Sequence, residues 1–428
     1  MSRVERGNDS EAAVAAPTDV GGAHDLIVDL SHPSVLEDPY PTYRALRERA
    51  PVYFDKKLNV WIVSRYNDIV RALRDTDRFS SRRMDKLIQR RLPNATPDDV
   101  EPFLGIMRLW QQMVDPPVHT RLRNVINQGF TPRSIEALRS QIERTVDTAL
   151  DAMEAAGGEV EFIRSFAFPV SAMTPLQLYG VPASDLDMID KWTQDMTVFI
   201  GGSVDPRRGL SEASASIVAM RDYFRDMVQE RRKRPTDDLI GRLVHAEGKG
   251  KFASEDELCA QLTMVQAASY FTTLDMFANG LLALLRTPSS MDVIREGRTS
   301  WRIAIDELLR YDGPVQLTHR LTTEEVTIDG TTIPADSIVY LLRGSANRDP
   351  ARFEDPDSLR LERGDIHHLG LGEGVHYCTG AGLARLQGEV AFERLFARFP
   401  RMTLTPGLLW RTDNLQFRGL AKLPIALA

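Results

Sequence analysis

The stretch His368-Leu-Gly-Leu-Gly-Glu-Gly-Val-His-Tyr-Cys-Thr-Gly-Ala-Gly-Leu-Ala-Arg385 sets one cysteine, Cys378, at the end of a glycine-dense loop that runs into a helix. A cysteine there meets the unpaired N–H groups and the positive dipole end of the helix, which favour the thiolate, the form that binds metal. The glycines let the backbone lie close to a flat body. Three other readings compete on these residues alone. A lone cysteine can be a small buried hydrophobe. A dinucleotide-binding glycine loop needs a buried strand before it, and LERGDIHHL is not one. A zinc site from His367, His368, His376 and Cys378 lacks the paired Cys or His spacing of the known zinc classes.

A second pattern is Glu307-Leu-Leu-Arg310, whose charged residues stand three apart and share a helix face, so they can pair. A third is Asp115-Pro-Pro-Val-His-Thr-Arg-Leu-Arg123, which brings His119 and Arg123 onto the start of a helix.

Together these resemble the cytochrome P-450 superfamily, in its soluble bacterial class. Leu371 to Gly380 is similar to the family's haem-binding signature, with Leu371 standing where an aromatic is usual. The resemblance covers about residues 30 to 428, and Ala346-Asn-Arg-Asp-Pro350 is a further structural match. It implies a mainly α fold with small β-sheets and a long central helix over a buried haem b. Cys378 would be the axial thiolate on the iron, pushing electron density toward oxygen. Glu307 and Arg310 would tie down the segment before the cysteine loop. His119, Arg123, Arg320 and His376 fall at positions that meet the haem propionates, carboxylates that need cationic or N–H donors.

One departure stands in the central helix. The family usually carries an acid followed by threonine there, to relay protons; here the matched stretch is Ala268-Ser-Tyr-Phe-Thr272-Thr273. Thr272 keeps the hydroxyl, Ser269 replaces a glycine, and Phe271 replaces the acid. Phenylalanine transfers no proton, so water, Tyr270 or Asp275 would have to substitute. The implied activity is oxidation of a small organic substrate, a specialised metabolite, by a monooxygenase or oxidase in which oxidative coupling or cyclisation is favoured over hydroxylation. A conventional hydroxylase and a non-catalytic haem sensor are the alternatives.

Phe199, Tyr270, Phe271, Val315, Gln316 and Leu317 are the expected pocket residues, with Trp192, Met196 and Ile200 on the roofing helix. Arg82, Arg83, Lys86, Arg90 and Arg91 form a basic run that is either a solvated face or a site for an acidic substrate group or a carrier protein's phosphate arm. The resemblance implies a ferredoxin and ferredoxin reductase drawing on NAD(P)H, with Arg121, Arg123 and Arg385 as docking cations.

The elements that must hold these residues follow from periodicity. Apolar residues at helical spacing predict helices at about 116–128, 133–155, 184–200, 211–231, 237–246, 255–286, 300–311 and 380–398. The 255–286 segment would be one helix of roughly 45 Å at 1.5 Å per residue. Val52 to Val63 reads as a hairpin, and 325–342 as strands around an Asp-Gly turn. Residues 1–25 read as a disordered lead-in and 26–428 as a single haem-thiolate domain.

Composition agrees. With 53 Lys and Arg against 60 Asp and Glu, the net charge of −7 argues against nucleic acid as the main partner. No apolar run is long enough for a membrane span, and two cysteines, Cys259 and Cys378, fit a reducing, cytoplasmic setting.

Overall fold

The structure, a computed structural model, describes residues 26, 28–202, 206–364 and 366–427; the lead-in over 1–25 lies outside the described residues. Helix dominates, as expected. The predicted helices are found at Val118–Ile126, Leu186–Gly202, Pro206–Lys233, Leu239–Glu247, Trp301–Asp312 and Ala381–Arg398. The segment predicted at 133–155 is two helices, Pro132–Glu136 and Arg139–Ala156; the second ends at Gly157, whose φ of 63° suits glycine.

The single helix expected over 255–286 is instead two, Glu255–Ser269 and Phe271–Arg286, interrupted at Tyr270. The hydroxyls explain why a continuous apolar pattern fails to give a continuous helix. Ser269 donates to the Gln266 carbonyl at 3.1 Å, Thr272 to Ala268 at 3.1 Å and Thr273 to Ser269 at 3.0 Å. Three side chains thus crowd the carbonyls of one turn, the kind of competition that bends or breaks helices.

The hairpin at Val52–Asp55 and Val60–Val63 forms the edge of a five-stranded sheet. The order continues through Ile338–Leu341 and Thr318–Thr322 to Phe79–Ser80. Trp61 pairs in parallel with Val339, and Arg320 pairs antiparallel with the same Val339. Asp329 and Gly330 turn the Val326–Ile328 and Thr331–Ile333 hairpin at φ 49° and 75°, as a primed turn requires.

Two apolar clusters hold these pieces. The larger runs through the helical body, where Trp301 stacks on Phe392 at 5.6 Å and Phe277 meets the edge of the same ring at 6.1 Å. Gly280 allows that approach, because a Cβ there would lie 2.9 Å from Phe392. The smaller cluster sits under the sheet around Trp61, Ile69, Phe353 and Leu369. The cysteine loop therefore leaves the sheet-side core at Leu369 and joins the helical core from Leu371 onward.

Candidate functional site

Cys378 is held by its own loop. Its amide donates to the Leu371 carbonyl at 2.8 Å, and Gly372 N–H donates to Leu369 at 2.9 Å. Gly372 and Gly374 take φ of 84° and 67°, and a Cβ on Gly374 would come within 2.8 Å of the Leu73 carbonyl. From outside the loop, Asn347 Oδ1 accepts from Leu369 N–H at 2.7 Å, and Arg343 donates to the carbonyls of Leu369 and Gly370.

The Glu307–Arg310 pair anchors this arrangement from behind. Two bonds of 2.7 and 2.8 Å join them, and neither side chain is exposed. Arg310 also donates to the carbonyls of Asn347, Pro356 and Ser358, so the same guanidinium reaches the residue that holds the loop. Arg363 completes the cluster at 3.2 Å from Glu307. Sequence reading missed it, since an arginine in an irregular segment carries no periodic signal.

The Cys378 sulfur lines a cavity of about 300 Å³, and Thr272 lines the same cavity. Burial pushes the thiol up, while the Gly380 N–H and the charges of Arg343, Arg123 and Arg385 pull the other way. The thiolate-favouring position expected from the helix start is thus outweighed by desolvation when the thiol stands alone.

Basic side chains crowd one part of the cavity wall. Arg123, Arg320 and His376 line it, together with Arg83 and Arg343. His119 packs on His376 at 4.2 Å between ring centroids, just behind the lining. His376 Nε2 shares a hydrogen bond of 2.9 Å with Ser81 Oγ. Burial lowers His119 to about 4 and Arg320 to about 10. Both nitrogens of His119 and Nε of Arg320 and Arg83 are buried without a partner. Such orphaned donors are costly unless an anion meets them. The residues present therefore fit a haem: Arg123, Arg320, His376 and His119 would meet its two carboxylates, and Cys378 would hold its iron. The zinc alternative fails on geometry: His367 bonds to Glu373, His368 to Asp306 and His376 to Ser81, and no metal-holding group of three is found among the described residues.

On the oxygen side, Phe271 lines the cavity, with the Arg411 guanidinium 5.8 Å from its ring centroid. Neither substitute acid stands on the wall. The Tyr270 hydroxyl donates to Asp190 on the helix Leu186–Gly202. Asp275 is fully buried against Arg411, and burial raises its carboxyl to about 6.

The expected pocket is partly redrawn. Val315 and Phe271 line the cavity, as does Ile200. Phe199 does not: it turns into the core, edge-on to Phe103 at 5.0 Å. Gln316 points back to donate to the Gly313 carbonyl at 2.8 Å, and Leu317 is buried on the far side of the strand entry beside it. Tyr270 is drawn off by Asp190. The places are taken by Thr197, Leu178, Met264, Gln416 and Phe417, the last bridged to Val315. Phe417 and Gln416 come from the C-terminal turns, which no local pattern ties to the pocket.

The basic run does not form one face. Arg83 enters the cavity, Lys86 pairs with Asp336, Arg91 donates to the Phe199 carbonyl at 3.1 Å, and Arg90 donates to Asn59. Of the docking cations, Arg121 is bound at both ends of its fork to Glu257 at 2.7 Å, Arg385 pairs with Asp306 at 2.8 Å, and Arg123 faces the cavity.

Residues 301–419 match the cytochrome P-450 family model. The polyketide biosynthesis cytochrome P-450 PksS of Bacillus subtilis (strain 168) is 33% identical over 402 residues, covering 91% of this chain and 96% of that protein. The chain belongs to the cytochrome P-450 family. The 6-deoxyerythronolide B hydroxylase of Saccharopolyspora erythraea is 33% identical to this cytochrome P-450, over 94% of the chain and 99% of the hydroxylase. Among solved structures, P-450BioI in complex with hexadec-9Z-enoic acid ligated acyl carrier protein superposes with a TM-score of 0.84 at 30% identity, covering 92% of this chain and 100% of that one. As a family member this cytochrome P-450 is a haem-iron monooxygenase acting on a small molecule. Among the described residues no helix is long and apolar enough to cross a membrane.

Proposed function

We propose that this cytochrome P-450 oxidises a small, predominantly apolar intermediate of bacterial specialised metabolism, with Cys378 as its axial thiolate. The observation that carries the reading is a single cavity lined by both Cys378 and Thr272, with unpartnered Arg83 and Arg320 nitrogens on its wall and those of His119 just behind it. Bound haem b supplies the activation of oxygen. Cys378 holds the iron. Arg123 and Arg320 would neutralise the two carboxylates, and His119 and His376 would orient them through ring N–H groups. Thr272, on the same wall, would hold a proton at Oγ1 for the oxygen chemistry, and Leu178, Ile200, Val315 and Phe417 would exclude water around the substrate.

The relatives named for polyketide biosynthesis and 6-deoxyerythronolide B hydroxylation support a polyketide-like substrate. The neighbour bound to an acyl carrier protein supports presentation on a carrier. Electrons come from NAD(P)H through a ferredoxin and its reductase. A second outcome, coupling or ring closure rather than hydroxylation, is favoured by Phe271 at the acid position and by the engagement of Tyr270 and Asp275 elsewhere.

The test is a spectrum followed by a mass. The dithionite-reduced protein with carbon monoxide gives the red-shifted Soret band of a thiolate ligand, and Cys378→Ser loses it; an unshifted band in the parent protein overturns the reading. Product mass then separates hydroxylation, which adds one oxygen, from coupling, which removes two hydrogens.

A further inference from the structure

We propose that Arg83 is a carboxylate-binding residue of the cavity, an assignment that rests on the haem-site reading above. Arg83 stands between the strand Phe79–Ser80 and the helix Met84–Arg91, faces the cavity, and is 7% exposed. Its Nη1 donates to the carbonyls of Ser81 at 2.7 Å and Gln112 at 3.1 Å, which fixes the plane of the guanidinium. Nε is buried without a partner, and Nη2 makes no hydrogen bond to the described residues. The unbonded Nε–Nη2 edge is a fork of two parallel N–H groups, the geometry that takes a carboxylate with two bonds.

No side chain supplies that carboxylate among the described residues. The nearby acid, Asp115, is already committed: Oδ1 accepts from Ser81 N–H at 2.7 Å, and Oδ2 accepts from the Ser80 hydroxyl at 2.5 Å. Burial, followed by the charge of Arg320, lowers the Arg83 guanidinium to about 9, with the Asp115 carboxylate opposing them only in part. A buried cation beside another cation is unfavourable until an anion joins it.

The carboxylate has two possible sources, a propionate of the haem or an acid group of the substrate. Arg83 shares the cavity wall with Arg320 and His376, the side chains read above as meeting the haem carboxylates, while Met84 and Leu87 beside it continue the apolar lining.

The experiment uses ferric holoenzyme carrying Arg83→Gln, Arg83→Lys or the control Arg82→Gln, whose side chain is 64% exposed. Two quantities are read: the rate of haem transfer to apomyoglobin, and the affinities for dodecanoate and dodecanol from the Soret shift. If the haem is the source, Arg83→Gln releases haem about tenfold faster and leaves both ligands unchanged, as loss of a charged hydrogen bond predicts. If the substrate is the source, haem release is unchanged and dodecanoate alone weakens about tenfold. Arg83→Lys keeps the charge without the fork and carries the same readouts should the glutamine variant not fold. Parent-like haem retention and no loss of dodecanoate affinity in Arg83→Gln and Arg83→Lys overturn the proposal. An unshifted carbon monoxide spectrum in the parent would instead overturn the haem-thiolate reading, so the two failures are distinct.

Discussion

Arg310 lies 2.7 Å from Glu307 with both side chains fully buried, and the same guanidinium bonds to the carbonyl of Asn347, whose side chain holds the first residue of the cysteine loop. Removing Arg310 leaves the buried Glu307 with Arg363 as its remaining cation and strips the carbonyls of Asn347, Pro356 and Ser358 of their Arg310 donor. Arg310→Ala is expected to cost about 3–5 kcal/mol and to lower the haem content of purified protein, because Asn347 and Leu369 lose their common support. Thermal melts and pyridine haemochrome assays check this, and a variant with normal haem content would refute the connection to the loop.

Thr272 is the hydroxyl nearest in role to proton delivery, and at rest it donates to Ala268 at 3.1 Å. Thr272→Ala should lower NAD(P)H-driven product formation on the order of 100-fold, the scale of a lost proton-transfer group, with peroxide release rising in its place. Thr272→Ser should recover most of it. Equal product yield in the alanine variant would show that the hydroxyl serves only the helix break.

Phe271 lies beneath Arg411, which already pairs with Asp275. Phe271→Asp puts a second acid within reach of that guanidinium and restores an ionisable group on the cavity wall. The expected outcome is a shift in product mass toward oxygen insertion. A product mixture identical to the parent's would sink the idea that residue 271 sets the outcome.

Burial raises the Asp275 carboxyl to about 6 despite Arg411, above the roughly 3.9 of an unfolded aspartate. The folded state therefore binds the proton more tightly. Its stabilising contribution is complete below about pH 4 and is lost as pH rises through 6. Asp275→Asn should flatten the stability curve across that window, by about 3 kcal/mol for a shift of about two units. Urea melts at pH 4.5 and pH 7 measure it; parallel slopes in parent and variant would rule it out.

The cysteine loop and the Glu307–Arg310 pair were legible because each is local: glycines with required φ values, and two charges three apart on one helix. The break at Tyr270 leaves no mark in the apolar spacing, which reads as one helix; the resemblance implies a local distortion of the helix at this stretch, and the hydroxyls of Ser269, Thr272 and Thr273 on their carbonyls supply its cause. Phe199, Gln316 and Leu317 were misplaced for a different reason. The resemblance names these positions as pocket-facing, but only packing between distant segments decides whether a buried residue faces a cavity or the core. Arg363 and Phe417 reach their partners across the fold and leave no mark on their own neighbourhoods.

The Tyr270–Asp190 bond joins the interruption in the oxygen-side helix to the helix that contributes Thr197 and Ile200 to the cavity. Ceiling and fulcrum are thus yoked. A guest bulky enough to displace the ceiling would therefore pull on the turn that bears Thr272, so what the cavity admits and how that hydroxyl is held would share one lever.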